Sequence, residues 1–224
     1  MRLGIVQFTP CPEPSENLEH ARELLLSLGK VDLALLPELF TTGYHLDGLE
    51  ERARWNLEAL SVIEGWAREL GAHIAATLAL PSGGVRNRFV LVGPNGLVRY
   101  QDKAHLFRPM REPELFKPGN FIEAFETPFG RLGALICYEL RFPEVARKLA
   151  KAGAWLLLVP ALWPKERRGA WKLFLKARAA ENQVYVAGAN GFGGSALYDP
   201  FGEEVLAFRR PHGDGLHQPS KSFP

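Results

Sequence analysis

Two hydrophobic periods alternate along this chain. Residues 17–28, NLEHARELLLSL, carry apolar side chains at helical spacing, and residues 55–72, 143–153 and 168–183 repeat that pattern. The helix over 143–153 has Pro143 at its start and Gly153 at its end, and the one over 55–72 runs to Gly71, as helix boundaries require. Between the helices lie short apolar runs: 3–8, 31–38, 73–80, 86–93, 96–103, 131–137, 155–161, 184–190, 195–199 and 203–208. Such runs read as strands covered on both faces, the pattern of an α/β layered fold. The alternation breaks once. Turn sequences PSGG and GPNG separate three successive strands between His73 and Lys103, with no helix among them. A doubly wound sheet does not accommodate that break, whereas a mixed sheet, or two stacked sheets with helices outside, does. No repeat or linker divides the chain, so one domain is expected over residues 1–210. The last stretch has no periodicity, and 211–224 is expected to be an irregular tail.

Composition narrows the partners more than the fold. The 224 residues carry a formal net charge of only +2, with no run of Lys or Arg, which argues against nucleic acid or an anionic membrane as a partner. Two cysteines, Cys11 and Cys137, make neither a disulfide framework nor a CxxC metal pair. The six histidines show no metal-ligand spacing, and no metal or other cofactor is expected. MRLGIVQFTP is too short an apolar stretch for a secretion signal, and no window reaches membrane-span length. A cytoplasmic protein acting on a small molecule is the expectation.

Three strand ends carry reactive side chains. GALICYELRFPE places Cys137 where an apolar run turns polar, VDLALLPELF places Glu38 after Pro37, and VRYQDKAHLF places Lys103. α/β folds collect their chemistry at such ends. Taken singly, a cysteine there is as readily a small buried hydrophobe, and a Glu or Lys the solvated exit of its strand. Taken together, they are the residue types of a cysteine acyl-transfer site: a carboxylate to take the thiol proton and an ammonium to stabilise an oxyanion. Other motifs carry less. GFGGSA at 191–196 fits a dinucleotide pattern, but strand and turn residues follow where a helix is required. Ser195 lacks the second glycine of a nucleophile elbow. His105 reads as a structural hydrogen-bonder, Arg178 and Glu181 as an ion pair on one helix face, and Cys11 as a bystander between Pro10 and Pro12.

From about residue 3 to about residue 208 the chain resembles the nitrilase superfamily, the carbon–nitrogen hydrolases with a Glu-Lys-Cys triad. PELFTTGY, DKAHLFR and CYELRFPE are similar to its glutamate, lysine and cysteine segments, and WPKERRGAWKLFLKARAAENQVYVAGAN and SALYDPFGE to the stretches that follow. The resemblance implies a four-layer α-β-β-α sandwich of two mixed sheets flanked by helices. It implies a homodimer or higher homo-oligomer through the helices at 143–153 and 170–183, the second presenting Trp171, Leu173, Phe174 and Ala177. It makes Glu38 the general base and acid, Lys103 the oxyanion stabiliser and Cys137 the nucleophile. A second glutamate belongs ahead of Pro118-Gly119, where Glu112 is favoured over Glu114. Within the superfamily the likeness is to omega-amidases that hydrolyse 2-oxoglutaramate and 2-oxosuccinamate, so a small amide cleaved through a thioester is expected. Hydrolysis of a nitrile, an N-carbamoyl amine or deaminated glutathione, or binding without turnover, are the alternatives. A carboxylate on the substrate calls for a pocket arginine, Arg141 or Arg111, and Tyr138, Arg141 and Trp163 are the expected substrate-binding residues. Two features depart from the pattern: Glu139 stands where Asp is more frequent, and the tail after VLAF resembles nothing in the family.

Overall fold

Strands that are apolar on both faces need two covers. The computed structural model, which describes residues 1–207 and 221–222, supplies a second sheet on one side and helices on the other. In chain order the elements are β1 (Arg2–Ile5), α1 (Pro14–Ser27), β2 (Leu33–Leu35), α2 (Leu49–Leu70), β3 (His73–Pro81), β4 (Val85–Gly93), β5 (Gly96–Asp102), α3 (Glu112–Leu115), β6 (Phe125–Thr127), β7 (Gly130–Ala134), α4 (Pro143–Lys151), β8 (Leu156–Ala161), α5 (Arg168–Asn182), β9 (Tyr185–Asn190), β10 (Ala196–Tyr198), β11 (Glu204–Ala207) and β12 (Lys221–Ser222). They build two six-stranded mixed sheets, ordered β12-β1-β2-β3-β4-β5 and β11-β10-β9-β8-β7-β6. The pairs β1–β2, β2–β3, β7–β8 and β8–β9 are parallel, and the outer pairs are antiparallel.

Side-chain alternation assigns the faces. Leu33 and Leu35 join the core shared with the second sheet, alongside Leu3, Ile5, Phe89, Leu132 and Leu156. Ala34 and Leu36 point the opposite way, onto Ala21 and Leu25 of α1 and Ile63 and Trp66 of α2. Val145 and Leu149 of α4 and Trp171, Leu175 and Ala179 of α5 cover the outer face of the second sheet. The result is the expected α-β-β-α sandwich. Among the described residues no helix is long and apolar enough to cross a membrane.

Several boundaries differ from the sequence pattern. Helix α2 starts at Leu49 and not near Trp55, because its buried stripe begins with Leu49, Ala53 and Asn56. The last is polar, and its side-chain N–H donates to the Ala79 carbonyl at 2.9 Å. Strand β7 ends at Ala134, three residues short of Cys137. Within the stretch expected to be an irregular tail, Lys221 and Ser222 pair antiparallel with Leu3 and Arg2. Without that pairing β1 would be an open sheet edge, which an extended segment can cover through its backbone alone. The rest of 211–224 lies outside the described residues. On α5, Trp171 is fully buried while Leu173 is 63% exposed.

Candidate active site

Each reactive side chain lies just past a strand and not on it. Glu38 follows β2 by three residues, Lys103 comes directly after β5, and Cys137 opens a 3-10 turn, Cys137–Arg141. The apolar pair Leu135–Ile136 carries the appearance of strand toward Cys137, and Leu135 N–H still bonds the Leu158 carbonyl at 2.9 Å. Beyond it the chain leaves the sheet. Cys137 has φ +47°, and two other non-glycine residues with left-handed backbone are Leu39 (φ +44°), next to Glu38, and Arg111 (φ +57°), next to Glu112. Such backbone costs an L-residue about 1–2 kcal/mol and persists only where the surroundings hold it.

Those surroundings are specific. Glu139, fully buried, accepts the Ile136 N–H at 2.8 Å through Oε2, and through Oε1 the N–H groups of Ala104 (2.7 Å) and His105 (3.3 Å). It ties the cysteine turn to the residues after Lys103. From α5, Arg178 donates to the carbonyls of Leu140 (3.1 Å) and Arg141 (3.0 Å), and also pairs with Glu181 at 3.1 Å. The Lys103 backbone is held on both sides: its N–H bonds the Asn87 carbonyl at 2.9 Å, and its carbonyl accepts from Gly119 N–H at 2.8 Å. A Cβ at Gly119 would lie 2.2 Å from the Asp102 carbonyl oxygen, so only glycine lets this segment close against the lysine.

The charge centre is dry. Lys103 Nζ donates to Glu38 Oε1 at 2.8 Å and to Glu112 Oε1 at 2.7 Å, and all three side chains are fully buried. Glu38 Oε1 also accepts from Asn87 Nδ2 (2.8 Å) and Tyr44 Oη (3.1 Å), while Oε2 accepts Leu162 N–H at 3.1 Å. Glu112 Oε2 accepts Phe107 N–H at 2.6 Å, and Tyr44 Oη is hydrogen-bonded to Glu112 Oε1. Burial pushes the Cys137 thiol well above its ordinary pKa. The Glu38 charge adds to the rise and the Lys103 ammonium opposes it. Burial alone would depress Lys103, but the carboxylates of Glu38 and Glu112 outweigh it and hold the ammonium firmly charged. The resting arrangement is therefore a neutral thiol beside a buried ion cluster.

Above Cys137 opens a narrow cavity. Lys103 and Cys137 form part of its lining, with aromatic and apolar walls from Tyr44, Phe107, Met110, Tyr138, Leu162, Trp163 and Pro164, and two cations, Arg141 and Arg167. Asn190 fixes Trp163, accepting its N–H at 2.7 Å and donating to its carbonyl at 3.1 Å. The Arg141 guanidinium carbon lies 5.0 Å from the Trp163 ring centre. Among the described residues, neither Arg141 nor Arg167 has a carboxylate partner.

Glu38, Lys103, Cys137 and Glu112 thus come together, and Tyr138, Arg141 and Trp163 line the cavity over them. Glu114 does not join: it is exposed and bonds Arg111 Nε at 2.8 Å. Arg111 points outward with it, so of the two candidate arginines only Arg141 lines the cavity. The His105 ring stacks on Phe142 at 4.4 Å, and its backbone, not its imidazole, reaches Glu139 within 3.5 Å. The GFGGSA loop serves packing, with Gly194 accepting the Trp171 indole N–H at 2.8 Å. Cys11 lies against Glu13 and Glu16. Sequence reasoning missed Tyr44, Asn87 and Arg167. Tyr44 was within the quoted PELFTTGY, but nothing in the spacing reveals that six residues of turn bring it back onto Glu38.

Comparisons with known proteins agree with this geometry. The carbon–nitrogen hydrolase family profile matches residues 2–211. The omega-amidase YafV of Yersinia enterocolitica is 38% identical over 79% of this chain and 68% of its own length. The 2-oxoglutaramate amidase of Bacillus subtilis is 35% identical over 90% of this chain and 83% of its own. A variant of the amidase from Nesterenkonia sp. AN1, whose structure shows acrylamide added at the active-site cysteine, superposes with a TM-score of 0.85. It is 29% identical, covering 95% of this chain and 91% of that one. The chain belongs to the carbon–nitrogen hydrolase family, within the nitrilase superfamily, and is most like its omega-amidases.

Proposed function

We propose that this carbon–nitrogen hydrolase is an amidase for a small omega-amide that carries a carboxylate, such as 2-oxoglutaramate, and that it works through a cysteine thioester. The observation that carries this reading is that two guanidiniums, Arg141 and Arg167, neither with a carboxylate partner among the described residues, line the same cavity as the Cys137 thiol and the Lys103 ammonium. A carboxylate at one end of the substrate meets the arginines, while the amide at the other end lies on Cys137.

In the first step the Cys137 S–H bond breaks, its proton passes to Glu38, and sulfur bonds the amide carbon. Glu38 Oε1 already accepts from Lys103, Tyr44 and Asn87, so Oε2 is the atom open to the proton. The carbonyl electron pair moves onto oxygen. Lys103 has three hydrogens and gives two to Glu38 and Glu112, which leaves one for this oxyanion. Collapse expels the nitrogen, which takes the proton from Glu38 and departs as ammonia. Water then gives a proton to the same carboxylate as it attacks the thioester, and the released sulfur recovers that proton. Glu112 orients Lys103. A homodimer through α5, where Leu173 is exposed, belongs to this proposal.

Ammonia release from 2-oxoglutaramate, propionamide, a simple nitrile and an N-carbamoyl amine tests the substrate, with the first expected to be turned over fastest. Added hydroxylamine should yield a hydroxamate. Mass spectrometry of acid-quenched protein should find the acyl group on the Cys137 peptide and not on the Cys11 peptide. Preference for the nitrile or carbamoyl substrate overturns the substrate assignment, and hydrolysis that survives Cys137→Ala overturns the thioester.

A further inference from the structure

We propose that Tyr44 is a positioning residue that closes a hydrogen-bonded ring around the charge centre, and that the resting ring holds one proton more than the Lys103 ammonium and the Tyr44 phenol provide. The corners are Lys103 Nζ, Glu38 Oε1, Tyr44 Oη and Glu112 Oε1, linked in that order and back to Lys103. Lys103 supplies the hydrogen for two of the links. A phenol has one hydrogen to give. Tyr44 nevertheless lies within hydrogen-bond reach of both carboxylates. One of its two links therefore runs the other way, with the hydrogen on a carboxyl and the phenol oxygen accepting.

A charge count agrees. Glu38 and Glu112 as carboxylates, Lys103 as ammonium and Cys137 as thiol would leave one uncompensated negative charge in a site where the two carboxylates are wholly buried. Burying a charge without a partner is far more costly than taking up a proton. One further proton brings the cluster to neutrality. Outside the ring, Glu38 is held by Asn87 and Leu162, and Glu112 by Phe107 alone. The extra hydrogen therefore sits on the Glu112 corner and is given to Tyr44, which gives its own to Glu38. In this arrangement Glu38 remains the acceptor for the thiol proton, and two carboxyl groups that would repel are joined by a chain of donors. The groups facing the phenol are Glu38, Glu112, Lys103 and Cys137, with Arg141 and Arg167 lining the cavity beyond.

This inference rests on the same site assignment but is read without substrate. Infrared difference spectra of protein with isotope-labelled glutamate carboxyls, taken at neutral pH, should show a protonated-carboxyl band in the resting wild type. Glu112→Gln should remove it, and Tyr44→Phe should move it, because the carboxyl loses its phenol acceptor. Kinetically, Tyr44→Phe should lower kcat about 10-fold, the scale of one hydrogen bond to a charged group, with KM within about threefold. Absence of the band in wild type, a band that neither variant disturbs, or wild-type kcat in Tyr44→Phe overturns the inference. The spectra stand even if the substrate assignment fails.

Discussion

Glu112 and Glu114 are two residues apart on the single turn of α3, and their surroundings differ completely. A separation of two residues is about 200° around a helix, so one faces inward when the other faces out. Glu112 is fully buried against Lys103, whereas Glu114 is exposed and holds Arg111. Each has a cation at hydrogen-bond distance. Water makes the difference. Around Arg111 and Glu114 it screens the attraction and solvates either partner if the other is removed. Around Glu112 it is absent, so each charge depends on its neighbours, and removing one partner strands the rest. The comparison teaches that distance alone does not identify a functional ion pair, and that exclusion of solvent does.

The most severe way to break this comparison is Glu38→Gln, which should abolish turnover because an amide cannot take the thiol proton. The same variant should make the thiol easier to ionise. Burial is the largest cause of the raised Cys137 pKa and the Glu38 charge the next, while Lys103 pulls it down. Removing the Glu38 charge therefore lowers the pH at which thiolate absorbance appears. A midpoint that stays in place or rises would sink the assignment of Glu38 as the base beside the sulfur. Next in size is Lys103→Met, which should reduce kcat by ~10²-fold or more, as loss of an oxyanion donor does. It also leaves the buried Glu38 and Glu112 without their cation, at a cost of about 3–5 kcal/mol measurable by denaturant unfolding. A loss of activity under threefold would return Lys103 to a purely structural role. The smallest effects separate the neighbours directly. Glu112→Gln should cost activity, whereas Glu114→Gln and Arg111→Met should leave kcat/KM within about twofold, as surface pairs do. The reverse ranking would mean that the buried glutamate is not the functional one.

Much of the sandwich was legible because Leu33, Ala34, Leu35 and Leu36 are apolar in succession, and only a strand with two covers has that requirement. The start of α2 was not, because its first turns, LEERAR, bury only Leu49 and Ala53 among charged residues, which leaves no clear apolar stripe. The strand end assigned to Cys137 was close but mistaken, since Leu135 and Ile136 are buried outside the sheet. In the site, Glu38, Lys103 and Cys137 stood out as reactive types at the ends of apolar runs. Tyr44, Asn87 and Arg167 did not, because their importance comes from which side chain they meet across the fold. Glu139 was noticed only as a departure, yet its carboxylate spans from the cysteine turn to the backbone after Lys103.

The left-handed backbone at Leu39, Arg111 and Cys137 carries a consequence for anyone trying to harden this enzyme. Glycine adopts such φ values freely, while an L-residue forfeits about 1–2 kcal/mol there. At Arg111, whose side chain is exposed, glycine relieves this cost, whereas at Leu39 it would empty a fully buried position and at Cys137 it would remove the sulfur. A sturdier variant is therefore to be sought at Arg111 or elsewhere on the surface, and not at the two buried turns.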